Sequence, residues 1–287
     1  MIQILLALVC ALLWGLAEFY YKKNSETHKT TSILLYRYIF QVIVYILLIL
    51  VIDINAFTRF DIKIYKFLLP FFLCSSVIGQ VLYLISVKSE NLSIVSPIMA
   101  SDPVFIILIG LILFKEKISI IALIALAIIC ISICALNFVN SDTKKKTKKI
   151  IIFSASLYAF VTALSTTFEK SVYLSGYTVA DLYFHYIFLI LIAIIVNFIY
   201  LKIKHEKLEK ISKNLILGFT FNQSGYILYS YLISVSYISL IAPITGLYSV
   251  ITYFLATRVL KEKLSLFQKI FIYLILISTI VLLVFNS

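Results

Sequence analysis

The sequence predicts an all-α integral membrane protein, with ten transmembrane helices arranged as two inverted five-helix repeats. Three observations carry this. Hydrophobic residues make up 62% of the 287-residue chain and charged residues 13%, about half the charged share of an average soluble domain, and the mean hydropathy is +1.07. Uncharged apolar runs of roughly the 20 residues that a bilayer asks of a helix follow one another along the chain. Finally, one stretch of the first half recurs without a gap in the second. Irregular backbone and open sheet edges cannot face lipid, and runs this long and uniform are not barrel strands, so helices remain.

Taken in order, the runs between charged breaks are 2–21, 32–52, 66–87, 91–114 and 118–138, then 150–173, 181–201, 214–235, 238–258 and 264–285. The first lacks a basic leader and a small-residue cleavage site, so it reads as a membrane helix and not as a removed signal. The polar stretch Asn140–Lys149, NSDTKKKTKK, separates a first unit, 1–139, from a second, 150–287. Within these, SIVSPIMASDPVFIILIGLILFKEKIS at Ser93–Ser119 aligns on SLIAPITGLYSVITYFLATRVLKEKLS at Ser239–Ser265, placing Pro97 on Pro243 and Glu116 on Glu262. Gly79 falls on Gly225 at the same offset, and YRYIF at Tyr36–Phe40 is similar to FHYIF at Phe184–Phe188. Five helices is an odd number, so the second copy enters the membrane inverted, an arrangement that places a site near the midplane where the copies meet.

The net charge of +12 is scattered in short clusters between apolar runs, which suits loops against headgroups and water better than a nucleic-acid face. Loops after odd helices hold 16 Lys and Arg and loops after even helices six, Lys170 among the latter. The excess places the odd loops in the cytoplasm and both termini outside the cell membrane. Cys10, Cys74, Cys130 and Cys134 fall inside apolar stretches without the spacing of a metal or disulfide framework. No phosphate-binding glycine loop, metal cluster or nucleophile elbow occurs. An enzyme, a cofactor and a metal are therefore not expected; the expected partners are a small-molecule substrate and membrane lipids, with a homodimer compatible.

Ionisable groups at membrane depth are functional candidates by default. Asp102 stands near the middle of the 91–114 run, and Pro97 and Pro103 free carbonyls in the same helix. It suits a proton or substrate-amine site, or a carboxyl bracing the kink. Glu18 shares a helix face with Trp14, while its closeness to Lys22 and Lys23 favours an interfacial ion pair. Arg37 and His185 hold matching places near the starts of the second and seventh helices, with Asp181 a turn before His185; they suit a carboxylate site or a gate, or simple helix-end anchoring. Gln80, Asn222 and Gln223 are amides at mid-depth that need partners, whether from a cavity or from neighbouring helices. Trp14, Tyr83, Tyr229 and Tyr248 lie deeper than an interfacial belt, and a ring beside Asp102 suits an ammonium. Lys115 and Lys261 end helices where cations are favoured, and Ser119 and Ser265 are placed to cap the next ones.

LLWG at Leu12–Gly15, together with the proline thirteen residues before the glutamate of LFKEKIS, resembles the EamA family of the drug/metabolite transporter superfamily. The resemblance implies secondary transport of small metabolites, with helices one to four and six to nine around a central cavity and the fifth and tenth at the side. The LAE around Glu18 looks like the first-helix glutamate of small multidrug-resistance relatives, which exchanges protons for cations. The second half departs from the first in carrying Ser249 for Pro103 and Tyr158-Ala159 for Trp14-Gly15. The leading expectation is an alternating-access transporter of amino acids or amines, proton coupling being compatible with it. A non-transporting scaffold or regulator, or a transporter of a lipid-linked or nucleotide-sugar substrate, is the alternative.

Overall fold

The computed structural model describes residues 2–25, 29–87, 98–138 and 149–260, with scattered residues between 266 and 281. The basic linker before Lys149, Pro97, the side chain of Cys134, Lys261–Ser265 and much of the expected tenth span lie outside the described residues. Among those described, every regular element is helical.

Helices α1 (Ile2–Ser25) and α2 (Thr30–Ile52) follow the first two expected spans. The third departs from one continuous α-helix. Helix α3 (Tyr65–Phe72) passes into a π-helical turn, Leu73–Ile78, and resumes as α4 (Gly79–Val87). Pro70 lacks the N–H that would bond four residues back, and the Gly79 amide closes the turn on the Cys74 carbonyl. A Cβ at position 79 would stand 2.4 Å from that oxygen, so only glycine fits.

Helices α5 (Asp102–Ile112), α6 (Ile120–Phe138), α7 (Lys149–Leu174), α8 (Val179–Ile203) and α9 (Lys213–Val235) follow. Thr178 and Asp181 form a reciprocal capping box at the start of α8, and the Ser212 hydroxyl caps α9. The expected ninth span is two helices, α10 (Ile238–Thr245) and α11 (Tyr248–Leu260), parted at Gly246 and Leu247. In the fourth, the chain turns at Ala100–Ser101 before α5 begins. The breaks fall at equivalent places, since Asp102 and Tyr248 are aligned residues of the repeat.

Ten uniform spans are therefore not what the described residues hold. Four stretches, Ile2–Tyr21, Thr30–Ile52, Ile62–Ser86 and Val179–Ile203, are long and apolar enough to cross a bilayer. The physical reason is visible in the others: α7 and α9 give polar side chains to the interior, and α5, α10 and α11 are segments of interrupted helices. Apolar residues such as Ile43, Leu47 and Leu50 of α2, and Ile192, Ile195, Val196 and Ile199 of α8, face outward, as lipid contact requires.

Packing follows a pattern that survives exchange of the halves. Helix α1 lies on α9 as α7 lies on α3 and α4; α2 pairs with α8; α5 pairs with α10; and α1 meets α10 and α11 as α7 meets α5. The α2–α8 pair is antiparallel and tied at both ends. At one end Thr31 and the Lys29 amide donate to the Glu206 and Glu209 carboxylates at 2.9 and 2.6 Å. At the other, Arg59 bridges Asp53 and Asp181 at 2.5 and 2.7 Å.

The turn after α5 carries its glutamate inward. Lys115 takes a left-handed conformation, φ +52°, and the Glu116 amide bonds the Gly110 carbonyl at 3.1 Å. This swings Glu116 inward, where it is buried. Its carboxylate accepts from the amides of Ile238 and Ser239 at 2.9 and 3.1 Å and from the Ser239 hydroxyl, capping α10 from the other half. Gly110 leaves room for this, since a Cβ there would stand 2.6 Å from the Glu116 Oε2. Ser119 caps α6 as expected, accepting from Ala122 at 3.2 Å. Lys170, expected in a loop, is buried instead. Its ammonium donates to the carbonyls of Ile233 and Ser236 at 2.7 and 2.8 Å, closing the C-terminus of α9.

Candidate substrate cavity

A cavity of about 130 Å³ lies between the two sets of helices, room for several waters or one small metabolite. Asp102, Trp14, Glu18, Gln80, Tyr83, Asn222, Tyr248 and Arg37 all line it. Gln223 and His185 do not: both are buried behind the wall.

Asp102 is where the break in the fourth helix puts it, at the first position of α5. The N–H groups of a helix start are unsatisfied and carry partial positive charge, so the half-helix supports an anion there. Pro103 in the first turn sacrifices an N–H that had no helical partner. The expected kink at mid-helix is thus a helix start, which leaves the carboxylate aimed into a polar cleft. Tyr248 begins α11 at the equivalent place and stands edge-on to Trp14, with ring centroids 6.2 Å apart.

Trp14 is set by α1 against α9. Its indole N–H donates to the Asn222 carbonyl at 3.3 Å and its ring tilts against Tyr229 at 5.1 Å. Gly225 makes the approach possible, since a Cβ there would meet the indole at 2.7 Å. Glu18, one turn on, is 2% exposed and accepts from Thr252 at 2.8 Å; the side chains of Lys22 and Lys23 lie outside the described residues.

Arg37 gathers the amides the sequence singled out. Its guanidinium donates to the Gln80 Oε1 and, at 3.1 Å, to the Asn222 Oδ1. Gln80 in turn donates to the Ser75 carbonyl at 3.4 Å, and Tyr38 to the Ser76 carbonyl at 2.6 Å. The π turn supplies those two carbonyls, so its irregular backbone is satisfied by the side chains of Gln80 and Tyr38. Gln80 is thus committed to Arg37 and not to Asp102.

His185 serves the end of the bundle. The Asp61 amide donates to its Nε2 at 2.9 Å, its Nδ1 pairs with the Asp181 carbonyl at 2.8 Å, and Phe60 stacks on the ring. Tyr177 donates to Asp61 at 2.7 Å. That hydroxyl, with the Lys63 amide, holds the Asp61 carboxyl below its ordinary value, and the same carboxylate pushes the Tyr177 phenol up to about 12. Arg37 and His185, matched in sequence, thus part company: one faces the cavity and one pins a loop.

The ionisable carboxylate that sequence reasoning missed is Glu169 on α7. It lines the cavity at 1% exposure and accepts from Ser230, Tyr173 and Tyr226 at 2.5, 3.0 and 3.2 Å. The usable signal was the hydroxyl-rich run Ser165–Thr167 before it, facing an α9 that carries Tyr226, Tyr229 and Ser230. Tyr158 and Tyr186 also line the space. The cavity is polar at its core and aromatic between its polar points, fitting a small molecule with charged and apolar parts.

Residues 1–138 match the model of the EamA-like transporter family. No curated protein matches the chain. Among solved structures, one described as the crystal structure of a protein superposes with a TM-score of 0.73 at 11% identity, covering 97% of this chain and 95% of the other; at that identity the likeness is one of fold.

Proposed function

Because residues 1–138 belong to the EamA-like transporter family of the drug/metabolite transporter superfamily and the chain is a multi-pass membrane protein, we propose that it is a secondary active transporter of small polar metabolites, amino acids or amines, across the cytoplasmic membrane. The observation that carries the reading is Asp102 at the start of a broken helix, opening on an aromatic, polar cavity inside an apolar bundle. A sealed centre with Asp102 bonded to Gln80 would favour a scaffold; the Arg37–Gln80 bond and the open cleft favour transport.

In this reading Asp102 and Glu18 receive an ammonium, Trp14 and Tyr248 wall it, and Arg37 with its two amides meets the opposite pole. The halves, 1–139 and 150–287 joined by the 140–149 linker, act as two inverted five-helix repeats with both termini outside. The packing pattern preserved on exchanging them supports the repeat, and the excess of Lys and Arg in the loops after odd helices supports the orientation. A substrate shifts the two access states only by its difference in affinity for them.

The test is uptake into proteoliposomes of a labelled panel of amino acids and amines. Asp102→Asn is expected to lower uptake of the best substrate at least tenfold, about 1.4 kcal/mol in the relevant step. Full activity with unchanged pH dependence in that variant would remove Asp102 from the mechanism, and no uptake of any panel member by the wild type would count against the function.

A further inference from the structure

The cavity holds a carboxylate that neither the sequence nor the substrate pole accounts for. Glu169 is almost wholly buried, and among the described residues no ion pair includes it. The adjacent ammonium of Lys170 points away and is spent on two carbonyls of α9. A lone ionised carboxylate at this depth is costly, and uptake of one proton removes the cost.

What surrounds it suits a group that changes protonation state. The Ser230 and Tyr173 hydroxyls meet Oε1 and the Tyr226 hydroxyl meets Oε2. A hydroxyl both donates and accepts. With Glu169 ionised, all three donate to it; with Glu169 protonated, one rotates to accept the new O–H. Neither state leaves a Glu169 carboxyl oxygen without a partner, whereas a cage of backbone amides would reject the acid form.

Glu169 and Asp102 stand on different helices of the cavity wall, α7 and α5. Tyr158 of α7 is within electrostatic reach of Asp102, and Glu169 lies eleven residues further along the same helix, roughly 16 Å along its axis. Titratable groups facing Glu169 are phenols: Tyr173 on its own helix, Tyr226 and Tyr229 from α9, Tyr183 and Tyr186 from α8, and Tyr45 from α2. The charged groups of the same cavity are Arg37 from α2, engaged by its two amides, Glu18 from α1 and Asp102 from α5. From α3, the π turn and α4, the cavity receives Ser75, Ser76, Gln80 and the phenol Tyr83.

We propose that Glu169 is a proton-binding site distinct from Asp102, and that it carries the coupling proton, binding one H⁺ from one side of the membrane and releasing it to the other as the access state changes. The coupling half rests on the transporter reading; the proton-binding half does not.

The experiment has two arms. The chain contains a single tryptophan, Trp14, tilted against Tyr229 in the same wall. In nanodiscs without substrate, its fluorescence and the infrared carboxyl C=O band are followed against pH in wild type, Glu169→Gln, Glu169→Asp and Ser230→Ala. One titrating carboxyl band is expected to vanish in Glu169→Gln, and Ser230→Ala and Glu169→Asp are expected to displace its midpoint by about one pH unit, tenfold in proton affinity. If Glu169→Gln retains every band, or if sodium at constant pH reproduces the Glu169-dependent signal, the proton site is overturned. In proteoliposomes, a mixture of the proteinogenic amino acids is expected to drive proton movement in wild type and not in Glu169→Gln, which still exchanges labelled substrate. Proton movement surviving in that variant overturns the coupling role alone. Absence of substrate movement in wild type overturns the transporter reading and the coupling role, while the titration still decides the site.

Discussion

Gly225 decides how close α1 and α9 come, and the cost of removing that freedom is open to measurement. Gly225→Ala places a Cβ within 2.7 Å of the Trp14 indole. Overpacking of this kind costs about 1–3 kcal/mol, so a lower melting temperature and a shifted Trp14 emission are expected; an unchanged spectrum would mean the indole does not rest there. Glu116 is a second residue with an outsized part. Glu116→Gln keeps the size but turns a donor toward the Ser239 amide and hydroxyl. A loss of about 1–3 kcal/mol in thermal unfolding in detergent is expected, against none for the exposed neighbour Lys117→Gln. At this scale the sequence was informative where polarity stood out against grease, as at Asp102, Gln80 and Asn222. It was silent on Glu169, which follows no apolar run that would set it apart; Glu169 and Lys170 are neighbours in sequence, but consecutive helix residues do not face each other, and each turned to a different part of the fold.

Elements are held at their ends as much as along their lengths. The turn carrying Asp53, Arg59 and Asp61 is clipped onto the start of α8, and its pH response follows from the lowered Asp61 carboxyl. A group with a depressed folded value adds stability that is present above its unfolded value, about 4, and lost as pH falls through the folded one. Hydrogen exchange over 53–64, corrected for intrinsic rates, is therefore expected to be slow at neutral pH and to accelerate only in strong acid. Tyr177→Phe should bring that acceleration to a higher pH, and an identical profile would show that the phenol does not support the carboxylate. The phenol itself works in the other sense: raised in the fold, it stabilises below about 10 and loses that contribution as pH climbs through about 12. Helix existence was legible from apolar run length, whereas the breaks at Ala100–Ser101 and Gly246–Leu247 were not. A broken membrane helix keeps its apolar content, and its satisfaction comes from tertiary contacts such as the Glu116 cap.

For the whole molecule, the sequence repeat pointed to two similar units, and the all-helical bundle follows from composition alone. The cavity was partly legible, because residues that hydrocarbon rejects have few places to go. Its hydroxyl-bearing wall was not, since tyrosine is so frequent in this chain that position along a helix said little about depth. A ligand that fits the cavity is expected to raise the melting temperature in proportion to the logarithm of its concentration above its dissociation constant. Asp102→Asn should abolish that rise without lowering the unliganded value by more than a few degrees; a variant that unfolds outright would mark Asp102 as structural. The π turn at Leu73–Ile78 has a kinematic meaning of its own. It is a surplus residue wound into an otherwise regular helix, and a helix that sheds or regains such a residue turns by about 100° and advances about 1.5 Å beyond that point. Everything from Gly79 onward would then move as a screw while α3 kept its place, so Gln80 and Tyr83 could leave or enter the cavity wall with no hinge in the lipid-facing half.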